Sequence, residues 1–123
     1  MLSGGFDPEF ARDAARELLS RPSPPTAVFA ANDLSALVTL EAAAELGIDV
    51  LRQLSVVGFD NIPESALADP LLTTVEQPIR RMGEKATAML LTLISGQELT
   101  EIHPTLATSL VLRASTAPPR QAS

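Results

Sequence analysis

TAVFAANDLSALVTLEAAAELGIDVLRQLSVVGFD, residues Thr26–Asp60, is the stretch on which the reading of the whole chain turns. Ala27–Ala31 is a short apolar run suited to a strand and ends at Asn32 and Asp33; Leu54–Val57 is a second, ending at Gly58, Phe59 and Asp60. Between them Ala36, Leu37, Leu40, Ala43 and Ala44 recur at helical spacing, with Ser35, Thr39, Glu41 and Glu45 on the other face. Asp33 is expected to cap the helix, and Gly47 to end it in the left-handed conformation. A strand, a helix and a strand in this order form a βαβ unit with parallel strands. The fold class is therefore α/β, built on a parallel βαβ-type sheet. Both strands then bring polar side chains, Asn32 and Asp60, to the carboxyl edge, where open α/β sheets bind small ligands.

Working outward, Asp7-Pro8 is a helix start, followed by an apolar stripe of Phe10, Ala11, Ala14, Ala15, Leu18 and Leu19 up to Ser20. Arg21–Pro25 holds three prolines and cannot continue a helix. Met1–Gly5 reads as the tail of a strand, Ile62–Pro70 as a short helical turn and loop, and Leu72–Val75 as a strand. A third helix runs from Ile79 to Ser95, with Ile79, Met82, Gly83, Ala86, Leu90 and Leu93 on one side, Arg80, Arg81, Glu84 and Lys85 exposed, and Gly96 as its stop. Leu106–Leu112 supplies a last strand, and the proline-containing end from Ala117 is expected to fray.

At 123 residues the chain suffices for one small domain, and 46% hydrophobic residues place it outside the disordered class. No apolar run approaches the ~20 residues of a membrane helix, so no membrane partner is expected. No basic segment followed by an apolar run opens the chain, and there are no cysteines, which fits a reducing compartment. The net charge of −6, from 15 acidic and 9 basic side chains without a Lys/Arg cluster, predicts repulsion from DNA phosphates.

Asp60 reads either as an acceptor for the hydroxyl or ring N–H groups of a ligand or as a turn residue capping the chain near Ile62-Pro63. Asn32 offers a donor and an acceptor to a polar ligand, or is a helix-entry residue beside Asp33. Phe6 follows Gly4-Gly5 and reads either as a ring that packs on a ligand face or as a staple on the first turn of the next helix. The lone histidine, His103, has no catalytic or metal-binding neighbours and reads as a loop residue. Glu41 and Glu45 read as solvated surface carboxylates. No G-x-S-x-G, P-loop or G-x-G-x-x-G pattern is present. Neither an enzyme, nor a cofactor, nor a metal site is indicated.

Three motifs together, Thr26–Asp33, Leu54–Asn61 and Leu72–Pro78, resemble the LacI/GalR-type (lactose-repressor and galactose-repressor) transcriptional regulators. The resemblance implies a partial periplasmic-binding-protein-like (type I) fold, corresponding to the C-terminal part of the effector-binding region. It places the DNA-binding headpiece upstream of Met1. It further implies that residues 1–77 belong to the C-terminal subdomain, 78–105 form a crossover helix and loop of the N-terminal subdomain, 106–116 are a returning strand and 117–123 a flexible tail. Asp60, Asn32, Phe6 and Gln77 are the ligand-contact residues it implies, for a sugar or a nucleoside/base effector. It implies a homodimer, with dimer contacts along Leu34–Leu46 and Pro63–Asp69, and a cytoplasmic location. Val38, Leu51 and Gln53 depart from the family's usual Gly, Pro and Asp; these positions concern packing and a turn. Two other readings stand beside this one: part of a periplasmic-type sugar-binding protein, and a ligand-free module that self-associates.

The acidic balance yields a first prediction. Fluorescence anisotropy with labelled duplex DNA is expected to show no sequence-specific, salt-sensitive binding by this chain.

Overall fold

In a computed structural model, described for residues 7–120, the chain forms three α-helices and four short strands. They are α1 (Pro8–Leu19), β1 (Ala27–Phe29), α2 (Asp33–Glu45), β2 (Ser55–Val57), β3 (Thr74–Glu76), α3 (Ile79–Ile94) and β4 (Ser109–Val111), with a 3-10 turn at Pro63–Ala66. The expected strand tail at Met1–Gly5 lies outside the described residues. Two compact units divide the chain: one runs to Glu76 and resumes at Leu110, and the other is Gln77–Ser109.

In the first unit β1 and β2 are parallel, with Ala27 opposite Ser55, Val28 opposite Val56 and Phe29 opposite Val57. The Ser55 N–H bonds Thr26 O and the Ala30 N–H bonds Val57 O, both at 2.9 Å. The peptide groups of Val56 therefore face away from β1, and Ser115 takes both of them. The Val56 N–H reaches Ser115 O at 2.9 Å, while Ser115 Oγ donates to Val56 O at 2.6 Å and accepts from the Thr73 N–H at 2.8 Å. Ala117, where the tail was expected to begin, is joined to Ser55 Oγ through both its N–H and its carbonyl. Beyond β2, Val57 bridges Thr73 in parallel, and the N–H groups of Gly58 and Asp60 bond Thr73 O and Val75 O at 2.9 and 2.8 Å. β3 in turn pairs with β4, which is confined to three residues of the expected Leu106–Leu112 run.

The helix ends follow local chemistry. Asp7 accepts the Glu9 N–H and caps α1, with Pro8 at its first position. Gly47, at φ +71°, closes α2: its N–H bonds Ala44 O and that of Ile48 bonds Ala43 O at 2.8 Å, the paired bonds of a Schellman ending. The N-cap of α2 is Asn32, whose Oδ1 accepts the Ser35 N–H at 2.8 Å; the expected cap, Asp33, is the first helical residue. The cap position needs extended backbone, which Asn32 has at φ −155°, ψ 166°, and Asp33 is held elsewhere by tertiary bonds.

The core gathers Leu19, Ala30, Ala36, Leu40, Ala43, Leu54, Val56 and Leu72. Complete burial of Leu54, Val56 and Leu72 contributes about 1.5–3 kcal/mol each. α1 covers a second side of α2, so Thr39 is buried on the face read as polar, its hydroxyl bonded to Ser35 O. Glu41 and Glu45 are not simply solvated. Arg12 reaches both, at 2.6 and 2.9 Å, and Arg16 pairs with Glu45, whose carboxyl the guanidinium holds below the usual carboxylate range. Two stripe residues differ from expectation: Phe10 and Ala44 are exposed. β1 exposes Ala27 and Phe29, which share one face of the strand, while Val28 on the other face packs against the core.

In the second unit none of the described residues of α3 is buried. Met82, Lys85, Ala86 and Met89 line a hollow of about 280 Å³ with Gln77, Pro104 and Leu106. Ile79, Leu90 and Leu93, read as the inward stripe, are exposed.

Gly58 is required for want of space. A Cβ there would overlap Asp33 Oδ1 and lie 3.0 Å from Leu72 Cδ2 and 3.2 Å from Ala36 Cβ. Gly58→Ala is expected to lower stability by about 2–3 kcal/mol, read as a shifted urea midpoint with an unchanged slope.

Candidate functional site

The carboxyl edge of β1 and β2 is assembled around a side chain that ends up inside the protein. Asp33 has no exposed surface. Its Oδ1 accepts from Thr74 Oγ1 at 2.6 Å, and its Oδ2 accepts from Ser65 Oγ at 2.8 Å and the Ile62 N–H at 2.9 Å. Its own N–H bonds Phe59 O at 2.9 Å. One residue thus ties the start of α2, the turn after β2, the 3-10 turn and β3 to one another. The carboxylate receiving the Ile62 N–H is that of Asp33, the contact anticipated for Asp60 in its turn-capping reading.

The turn so anchored is strained. Asp60 has φ +124° and Asn61 φ +59°, a region that L-residues seldom occupy. Backbone held there must be over-determined by its surroundings, and such positions cluster at ligand clamps and active sites. Here the Asp60 N–H bonds Val75 O, the Asn61 N–H bonds Thr74 Oγ1 at 3.3 Å, and Asn61 Oδ1 accepts from Arg113 Nη2 at 2.7 Å. Leu51, at φ +94°, is the other non-glycine residue of this kind among the described residues. It lies in the turn before β2, where its N–H bonds Leu54 O and Gln53 Oε1 accepts the Asp49 N–H.

Asn32 and Asp60 come together at this edge, since the Asp33 N–H joins the entry of α2 to the residue before Asp60. Asn32 is buried and Asp60 half-buried. Gln77, half-buried, opens the second unit, and Phe6 lies outside the described residues. A hollow of about 380 Å³ between α1, β1 and α2, lined largely by apolar residues such as Leu18, Leu19 and Val28, contains neither Asn32 nor Asp60. Of the two, Asp60 alone is partly exposed at this edge, and a carboxylate so placed can accept from hydroxyl or N–H donors.

The sequence pattern missed Asp33 as a tertiary anchor, along with its partners Ser65 and Thr74, and it missed Arg113. The available signal for Arg113 was a lone cation closing the apolar Ser109–Leu112 run.

A family model described as the periplasmic binding protein-like domain matches residues 4–116. The chain belongs to that family. The HTH-type transcriptional repressor PurR of Pectobacterium carotovorum is 39% identical over 110 residues, covering 86% of this chain and 32% of that protein. The dimeric Lac repressor with an 11-residue C-terminal deletion superposes with a TM-score of 0.87 at 33% identity, over 95% of this chain and 43% of its own. The transcriptional regulator CelR in complex with cellobiose gives 0.84 at 35% identity, over 91% and 34%. The chain spans about a third of the length of the curated relatives it matches. It corresponds to the effector-binding region of LacI/PurR-type repressors, and its α/β architecture is that of the Lac repressor core. No helix among the described residues is long and apolar enough to cross a membrane.

Removing the anchor separates its parts. Asp33→Ala leaves the Thr74 hydroxyl and the Ile62 N–H without their acceptor, the Ser65 hydroxyl keeping Ile62 O, and is expected to cost about 2–3 kcal/mol. Asp33→Asn should cost less, because the Thr74 hydroxyl can turn to accept from the amide. Urea titration of the two variants checks the order.

Proposed function

We propose that this chain is the C-terminal portion of the small-molecule effector-binding and dimerisation domain of a LacI-type transcriptional regulator, without catalytic activity of its own. The effector is a small polar molecule, a sugar or a nucleobase-like compound. Asp60 is its principal contact, and Asn32, the N-cap of α2 beside it, is a second. Phe6 and Gln77 are further candidates from the family resemblance. Residues 1–77 serve the C-terminal subdomain, 78–105 form the crossover helix and loop of the N-terminal one, and 106–116 are the returning strand. The partner is a second copy of the chain, DNA is contacted by a part of the regulator other than this one, and the protein works in the cytoplasm.

The observation that supports this reading best is the strained, anchored turn that presents Asp60 at the carboxyl edge of a parallel sheet. A conformation that disfavours folding and is nonetheless bonded at each step makes sense if the carboxylate must face a ligand. Kinship with a repressor, and with a regulator solved with cellobiose, supports the same class of function.

The test is Asp60→Asn within a full-length regulator carrying this chain. Asn keeps the volume and tolerates positive φ while removing the charge. Calorimetric titration with cellobiose and with guanine is expected to show, for the probe that binds, an affinity loss of about 1.5–3 kcal/mol, roughly tenfold to a hundredfold in Kd. Operator affinity without effector should be unchanged. Unaltered effector affinity would remove Asp60 from the site.

A further inference from the structure

Arg113 follows β4, beyond the second unit, and its half-buried guanidinium returns to the ligand edge. Nη1 donates to Leu72 O at 2.9 Å and Nη2 to Asn61 Oδ1 at 2.7 Å, while the Arg113 N–H bonds Thr73 Oγ1 at 3.0 Å. One planar fork therefore spans the residue that precedes Thr73 and the second of the two strained residues. Asn61 gains from this bond a side-chain reason to stay at φ +59°. The other restraints on the turn act on the backbone: the N–H groups of Asp60, Asn61 and Ile62 go to Val75 O, Thr74 Oγ1 and Asp33 Oδ2. The bond from Asn61 N–H, at 3.3 Å, is the longest of these three. The Arg113 clamp sits on the residue whose own backbone bond is weakest.

We infer that Arg113 is a positioning residue: its guanidinium holds the Asp60–Asn61 turn in the conformation that presents Asp60 to effector. The inference rests on the reading of Asp60 as the ligand contact, and it adds a specificity for arginine. Lysine carries the same charge but places one ammonium where two acceptors lie in different directions, so it cannot reproduce the fork. The clamp also joins the ligand turn to the strand that returns from residues 77–109. A change in β4 would reach Asp60 through this side chain as well as through β3, which pairs with β4 and holds the Asp60 N–H.

Amide hydrogen exchange on the complete 123-residue chain measures the turn without any ligand. Arg113→Lys is expected to speed exchange of the Asn61 N–H at least tenfold and leave that of Leu46, the C-cap of α2, unchanged. Asn61→Gly keeps positive φ without strain and removes the acceptor. Combined with Arg113→Lys it should be no looser at Ile62 than the Gly variant alone, because both changes cut the same Arg113–Asn61 bond, the one that reaches the turn. Unchanged Asn61 exchange in Arg113→Lys, or additive loosening in the double variant, overturns the inference. If Arg113→Lys lowers stability everywhere, Asn61→Gly decides alone: local loosening of the turn supports the clamp, and native exchange at Asn61 and Ile62 overturns it. In the full-length regulator, Arg113→Lys should weaken binding of the cellobiose or guanine probe about tenfold with operator affinity retained. A loosened turn with undiminished probe binding overturns the positioning role. Should Asp60→Asn leave probe binding intact, the ligand reading fails by itself, and the exchange data still show whether Arg113 holds the turn.

Discussion

The Asp33 carboxylate is the constraint around which the first unit closes. A carboxylate taken out of water is costly unless donors surround it, and here Thr74, Ser65 and the Ile62 N–H do so. The donors come from two stretches of chain, Ile62–Ser65 and β3, so satisfying one side chain fixes both against the start of α2. Gly58 is drawn into the same arrangement, because the carboxylate occupies the space a Cβ would need. The apolar core supplies most of the stabilising burial and has no directional demand of its own. The buried carboxylate supplies direction, and with it the position of the turn that carries Asp60.

Ser115 plays the complementary part on the far side of β2. Its backbone and hydroxyl together meet the Val56 peptide groups and the Thr73 N–H, so a segment after the last strand closes a gap that a regular ladder would have filled. Buried backbone groups need partners, and the chain finds them from 59 residues away in sequence for Val56. Arg113 lies two residues earlier on the same segment. The stretch that completes the sheet is therefore also the one that reaches the Asp60–Asn61 turn, which couples integrity of the fold to geometry at the candidate site.

The two units differ in how far they complete their own cores. In the first, alanines at Ala36 and Ala43 let α2 approach the sheet, and Arg12 and Arg16 close the outer seam between α1 and α2 with Glu41 and Glu45. Such exposed pairs contribute little to stability, yet they orient the two helices. In the second, α3 carries Ile79, Leu90, Leu91, Leu93 and Ile94 largely in contact with water. The chain spans about a third of the length of the curated relatives it matches.

Sequence alone determined the order and type of every described helix and strand, because the evidence for these is local. Apolar spacing marked α1, α2 and α3, Asp7-Pro8 marked a helix entry, and Gly47 and Gly96 marked exits that need positive φ. It also determined the carboxyl edge as the place for Asn32 and Asp60, since strand–helix–strand order leaves parallel strands whose ends coincide. Tertiary structure decided which of two adjacent polar residues caps α2, for Asn32 and Asp33 are equally able to do so until Thr74 and Ser65 arrive to claim the carboxylate. It alone placed Arg113 on Asn61 and Ser115 on Val56, contacts spanning 52 and 59 residues that no local periodicity encodes. It alone turned Thr39 inward and Phe29 outward, because burial depends on which neighbour covers a face, and that neighbour is chosen by the whole chain.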